Sequence, residues 1–147
     1  MSELHRRFAD FEWEGVSRQP YKEDGAAPFK AISRQVLFSE ASMGCELRYF
    51  EVAPGGWSSL ERHHHAHAVM IVRGSARVLV GDRVIDAATH DLVRVPPLTW
   101  HQFQPAGAEP LGFLCMVDCE RDRPERPDSA ALAALRADPV IAAFIQA

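Results

Sequence analysis

The segment Glu61–His67, ERHHHAH, sets four of the chain's seven histidines beside a carboxylate. Neutral imidazoles with one carboxylate form a donor set for a first-row divalent ion. In an extended chain residues i, i+2, i+4 and i+6 share a face, so Glu61, His63, His65 and His67 point one way and Arg62, His64 and Ala66 the other. The alternatives for such a string are a tag remnant, which belongs at a terminus, or a solvated metal-scavenging tract. This string runs directly into the apolar AVMIVRG, which places it at the entrance of a strand.

Other reactive groups lie upstream and downstream. In CELRYFEV, Cys45, Leu47 and Tyr49 share one face, and Glu46, Arg48 and Phe50 share the other. A cysteine facing a metal is drawn toward thiolate and becomes a nucleophile, whereas one facing apolar neighbours is a small buried hydrophobe. Both readings are open for Cys45 and for Cys115, while Cys119 falls beyond the last strand. Arg34, Arg48 and Arg77 carry planar forks that match phosphate or carboxylate oxygens, with surface solvation as the alternative. Tyr49 and Gln102 are candidate substrate hydrogen-bonders. Trp100 and Phe103 either line a pocket or serve only as core.

These groups need a scaffold of strands. AISRQVLF, CELRYFEV, AVMIVRG, ARVLVG, RVIDA, DLVRVP and LGFLCMVD are short, rich in β-branched residues and separated by Gly, Pro, Asp or Ser, the pattern of an all-β barrel or sandwich. VGDRV predicts a tight hairpin. Residues 1–30 mix aromatics with charges, end in the turn-rich KEDGAAP, and read as an N-terminal arm that wraps a partner subunit. Residues 31–120 form the barrel, and residues 121–147 a helical tail. In the tail, Ser129 is a plausible cap, and Asp138 caps a second helix with Pro139 at its first position. Leu132, Leu135, Ile141, Phe144 and Ile145 then form an apolar stripe that packs on the barrel or on a dimer mate.

A chain of 147 residues with 47% hydrophobic content suits one domain with a real core. A net charge of −4 without a Lys/Arg cluster argues against nucleic acid or an anionic membrane surface as partner. The charged N-terminus and the lack of a run of roughly 20 apolar residues predict a cytoplasmic protein. Three cysteines without a CxxC spacing read as reduced thiols. A small-molecule substrate and a homodimer fit this composition.

PGGWSSLERHHHAHAVMIVRG followed by HDLVRVPPLTWHQF resembles the paired motifs of the cupin superfamily: glycines, a strand with spaced ligands, a closing glycine, then a proline turn before one more histidine. The resemblance implies a single jelly-roll-like β-barrel with metal ligands Glu61, His63, His67 and His101, Glu61 standing where histidine is usual. A carboxylate with three imidazoles leaves a divalent ion with a formal site charge of about +1 and favours harder ions. Four ligands leave two adjacent octahedral positions for chelating a hydroxy-ketone, an enediolate or dioxygen. His90 and Leu98 stand where the second motif usually has glycine, and Pro105 replaces its closing asparagine. Within the superfamily, SLERHHHAHAVMIVRG, VPPLTWHQF and CELRYFEVAPGG most resemble members acting on a methylthio-pentulose phosphate. That resemblance implies manganese, a phosphosugar substrate, a thiol such as glutathione as acceptor of the methylthio group, and Cys45 as the catalytic nucleophile. Tyr49, Arg48, Trp100, Gln102 and Phe103 are the expected substrate-binding residues. An iron-dependent dioxygenase, or a non-catalytic cupin that senses a small molecule, are the alternatives.

Overall fold

A computed structural model describes residues 4–21 and 30–147, so the KEDGAAP segment lies outside the described residues. The chain is all-β with two short C-terminal helices. Its strands are β1 (Phe8–Ala9), β2 (Glu12–Trp13), β3 (Gln19–Pro20), β4 (Lys30–Glu40), β5 (Cys45–Trp57), β6 (His67–Arg73), β7 (Ala76–Val80), β8 (Arg83–Ala87), β9 (Leu92–Val95), β10 (His101–Pro105) and β11 (Leu111–Asp118). A six-stranded sheet in the order β3-β4-β5-β11-β6-β9 faces a three-stranded sheet in the order β10-β7-β8, and every pairing is antiparallel. This is a jelly-roll-like arrangement. The VGDRV turn is a two-residue hairpin with Val80 opposite Arg83 and Gly81 at φ 65°. β10 escapes the sequence pattern because its five residues HQFQP are mostly polar.

The core between the sheets comes from alternate residues of each strand, among them Val52, Val69, Ile71, Val78, Val95 and Phe113. β9 shows the rule plainly: Val93 and Val95 are buried, Leu92 and Arg94 are exposed. β5 breaks it, because Arg48, Tyr49 and Phe50 are all buried. The outer face of β5 is covered by the β1–β2 hairpin, whose Phe11 and Trp13 rings lie 6.0 and 5.1 Å from Tyr49. Gln35 Nε2 donates to Phe11 O at 2.9 Å and holds the hairpin down. The described part of the arm thus packs on its own barrel.

The tail covers the other sheet. α1 (Ser129–Arg136) is capped by Asp128, not Ser129: the Asp128 carboxylate accepts from Ala131 N at 2.8 Å. Asp138 caps α2 (Pro139–Phe144), accepting from Val140 N and Ile141 N, with Pro139 inside the first turn. Leu135, Ile141, Phe144 and Ile145 bury against Leu60 and Leu79 on the outside of the small sheet. Each fully buried side chain of this size contributes about 1.5–3 kcal/mol. No helix among the described residues is long and apolar enough to cross a membrane.

Candidate metal centre

His101 begins β10, and an antiparallel bridge couples it to Glu61: Glu61 N donates to His101 O at 3.2 Å and His101 N donates to Glu61 O at 3.0 Å. His67 begins β6, and His63 lies in the connection from β5 to β6. One ligand atom from each of His63, His67 and His101 lies within 4.8 Å of the others. Glu61 Oε1 is 4.0 Å from His101 Nε2, so the structure brings Glu61, His63, His67 and His101 to one place.

The tautomers follow from the neighbours. His63 Nδ1 meets the His65 carbonyl at 2.6 Å and His101 Nδ1 meets the Thr99 carbonyl at 2.9 Å. A carbonyl only accepts, so both Nδ1 atoms carry the proton and both Nε2 atoms present a lone pair. Those two Nε2 atoms are buried without a hydrogen-bond partner, an arrangement that is costly unless something binds there. Burial holds all three imidazoles neutral: His101 is pushed down to about 4, and His63 and His67 are also lowered, burial first and neighbouring imidazoles after it. Neutral rings with orphaned lone pairs and an adjacent carboxylate fit a divalent cation.

The ERHHHAH segment is not a continuous strand, which corrects the extended reading. Glu61 and Arg62 form isolated bridges, the chain bends at His64 and His65, and β6 starts at His67. The bend has a cause far along the chain. Asp122 accepts from His64 N at 2.8 Å, from His65 N at 3.2 Å and meets His65 Nδ1 at 2.8 Å, so these amides are withdrawn from any ladder. His65 then stacks on His63 with centroids 3.7 Å apart and planes 6° off parallel. On the other side, Leu98 N donates to His63 O at 2.7 Å. Leu98 and His90, at the two positions where glycine is usual, adopt φ of 53° and 76°, the left-handed backbone that glycine would take without strain.

A cavity of about 220 Å³ opens in front of the imidazoles. Its walls include Arg34, Arg48, Phe50, Phe103, Phe113 and Cys115. Of the expected substrate-binding residues, Arg48 and Phe103 reach it and three do not. Tyr49 lies under the N-terminal hairpin with its hydroxyl donating to Glu51 Oε1 at 2.9 Å. Trp100 packs against the tail cluster beneath the Arg62 guanidinium. Gln102 is fully buried on the outer face, where its Nε2 donates to Ser58 O and Gln146 O and its Oε1 accepts from Gln146 N. Arg77 is exposed and paired with Asp86, outside the cavity.

The two strand cysteines fall in different places. Cys45 pairs with Asp118 at the far end of β5 and lines a second groove with Leu47 and Met116, which His67 also borders. β5 turns its even-numbered side chains inward, so the cysteine that faces the imidazoles is Cys115, directly opposite Arg48 and Val69 in the ladders. Arg48 Nη2 lies 3.5 Å from Cys115 Sγ. Burial pushes the Cys115 thiol above its ordinary range, and Arg48 offsets only part of that rise. Asp122 and the Arg48–Cys115 contact escaped the sequence pattern.

Comparison with known proteins follows the same geometry. Residues 48–117 match the model of the cupin domain. The chain is 53% identical to the 1-methylthio-D-xylulose 5-phosphate methylsulfurylase of Rhodospirillum rubrum over 137 residues, 93% of this chain and 88% of that protein. It superposes on the crystal structure of a cupin 2 conserved barrel domain protein from Rhodopseudomonas palustris with a TM-score of 0.93 and 51% identity, covering 97% of this chain and 99% of that one. A cupin-2 domain structure from Rhodospirillum rubrum aligns with a TM-score of 0.86 and 52% identity, over 96% of this chain and 95% of that one. The relatives span essentially the whole barrel, arm and tail, and the chain belongs to the cupin family.

Proposed function

We propose that this cupin is a metal-dependent 1-methylthio-D-xylulose 5-phosphate methylsulfurylase, moving the methylthio group to a thiol and leaving 1-deoxyxylulose 5-phosphate. The observation that carries this reading is the Cys115 thiol, facing the same cavity as the imidazole nest and 3.5 Å from a guanidinium nitrogen. The 53% identical relative of that name supports it. In this reading Glu61, His63, His67 and His101 hold a divalent ion, manganese, and Cys115 takes the role the sequence suggested for Cys45. The ion supplies Lewis acidity to a ketone and its neighbouring hydroxyl.

Arg48 stabilises the Cys115 thiolate, and Phe50, Phe103 and Phe113 keep bulk water from it. The thiolate attacks the substrate's sulfur. A bond forms between the two sulfurs, the C1–S bond breaks, and its electron pair delocalises from C1 onto the C2 ketone. Uptake of a proton at C1 completes the 1-deoxy sugar. A second thiolate, that of glutathione, attacks the methylthio sulfur of the resulting mixed disulfide and releases Cys115. The sum is one thioether and one thiol converted to one C–H bond and one disulfide. Cytoplasmic residence and a homodimer accompany this reading.

The test pairs two thiols and two metals. Cys115→Ser is expected to keep its metal and lose turnover by several orders of magnitude, while Cys45→Ser retains it. His63→Ala is expected to lose most bound metal by elemental analysis. Full activity in Cys115→Ser would reject the thiol mechanism, and oxygen-dependent turnover with bound iron would reject the transfer in favour of dioxygenation.

A further inference from the structure

Three guanidinium groups line the metal cavity, and two of them are already engaged. Arg121 pairs with Glu46 at 3.2 Å and donates to Asp118 O at 2.9 Å. Arg48 shares Glu46, at 3.9 Å, and contacts Cys115. Arg34 has no carboxylate partner among the described residues. Its guanidinium lies 5.5 Å over the ring of Tyr21, and its Nε is buried without a hydrogen-bond partner. Among the described residues, the two carboxylates that line the cavity, Glu61 and Asp122, are both at the imidazole end: one beside His101, the other tied to the His64–His65 bend. An unbalanced cation among Ile32, Phe50 and Phe113 is poorly solvated unless an anion arrives to meet it.

The ladders fix its place. Across the inner face of the large sheet, Arg34 is opposite Phe50, Phe50 opposite Phe113, and Phe113 opposite Ile71 of β6. β4 is therefore three strand spacings from the strand that begins with His67, about 14 Å across the sheet. Cys115 and Arg48 occupy the strands between. The cavity is polarised, with the imidazole nest at one side, a thiol in the floor and, at the other side, a guanidinium with no carboxylate partner among the described residues.

We propose that Arg34 is the phosphate anchor and specificity-determining residue of this cavity, with Tyr21 bracing its guanidinium plane. A planar fork receives two oxygens of a terminal phosphate in parallel hydrogen bonds, which a neutral side chain cannot reproduce. This inference rests on the phosphosugar reading above, and it assigns recognition of the phosphorylated end to a residue distant from the metal and the thiol.

The experiment compares 1-methylthioxylulose 5-phosphate with its dephosphorylated form on manganese-loaded wild type, Arg34→Gln, Arg34→Lys and Arg77→Gln. Wild type and Arg77→Gln should favour the phosphorylated substrate strongly in kcat/KM. Arg34→Gln should lose that preference by about 10- to 100-fold, the range for hydrogen bonds to a charged group, mainly through KM, with metal content and melting temperature unchanged. Arg34→Lys should recover only part of it. A parallel calorimetric titration with D-xylulose 5-phosphate and D-xylulose reads binding without turnover. If wild type turns over neither substrate, the enzymatic reading fails, and the titration alone decides the anchor. Equal loss for phosphorylated and unphosphorylated ligands, or no loss, overturns the assignment of Arg34.

Discussion

Lowering the pH of chelator-treated protein should expose how much the imidazole nest costs the fold. An imidazole in the unfolded chain binds its proton below about 6.5, whereas buried His101 binds only below about 4. Between those values the unfolded state holds the extra proton, so stability falls as pH falls through 6.5 toward 4 and is retained above 6.5. At about 1.4 kcal/mol per pH unit, His101 alone accounts for roughly 3 kcal/mol by pH 4. His63 and His67, displaced in the same direction, add to it. A single domain of this size has about 5–15 kcal/mol in total, so the loss is large. The assay is urea unfolding of chelator-treated protein, followed by tryptophan fluorescence at pH 7.5 and pH 4.5. Wild type should lose on the order of 2–3 kcal/mol more than His101→Gln over that interval, since glutamine has no proton to take up. Equal losses in the two proteins would refute the reasoning, and with it the neutrality of the nest on which metal binding depends.

Two further outcomes probe the covers that hold the site in place. A Cβ at Gly112 would collide with Tyr49 Oη and lie 2.8 Å from Arg73 Cβ, and the Tyr49 hydroxyl is held by Glu51. Gly112→Ala should therefore destabilise by about 2–4 kcal/mol, measured by chemical denaturation, and by clearly less in a Tyr49→Phe background. Gln102→Leu strips partners from Ser58 O and from both backbone groups of Gln146. It should cost about 1–3 kcal/mol in thermal unfolding and raise hydrogen exchange in the tail, with a small change confined to β10 counting against the clip.

Much of the scaffold is legible in local patterns. The β-branched runs predicted seven strands, and Pro139 with Asp138 predicted the second helix start, because turn chemistry and capping act over a few residues. The clustering of Glu61, His63 and His67 follows from their spacing, although a bend and not a strand presents them. The first helix cap was misplaced by one residue, since Asp128 and Ser129 are both good capping types and only the backbone chooses between them.

Alternation along a strand sorts side chains into two faces but does not say which face turns inward. That choice is readable when one face is polar, and here it is not. The N-terminal hairpin buries the outer face of β5 and the C-terminal helices bury that of β10, so Tyr49 and Gln102 are as enclosed as Arg48 and His101. The residue types and their spacing by themselves determined an all-β chain with a metal-competent cluster, and the resemblance of its paired motifs pointed to the cupins. Only the tertiary structure decided that Cys115 and not Cys45 faces that cluster, that Asp122, fifty-seven residues beyond His65, shapes it, and that Arg34 stands across from it without a carboxylate partner among the described residues. Each of those depends on which surfaces the arm and tail cover, and on contacts between segments far apart in the chain.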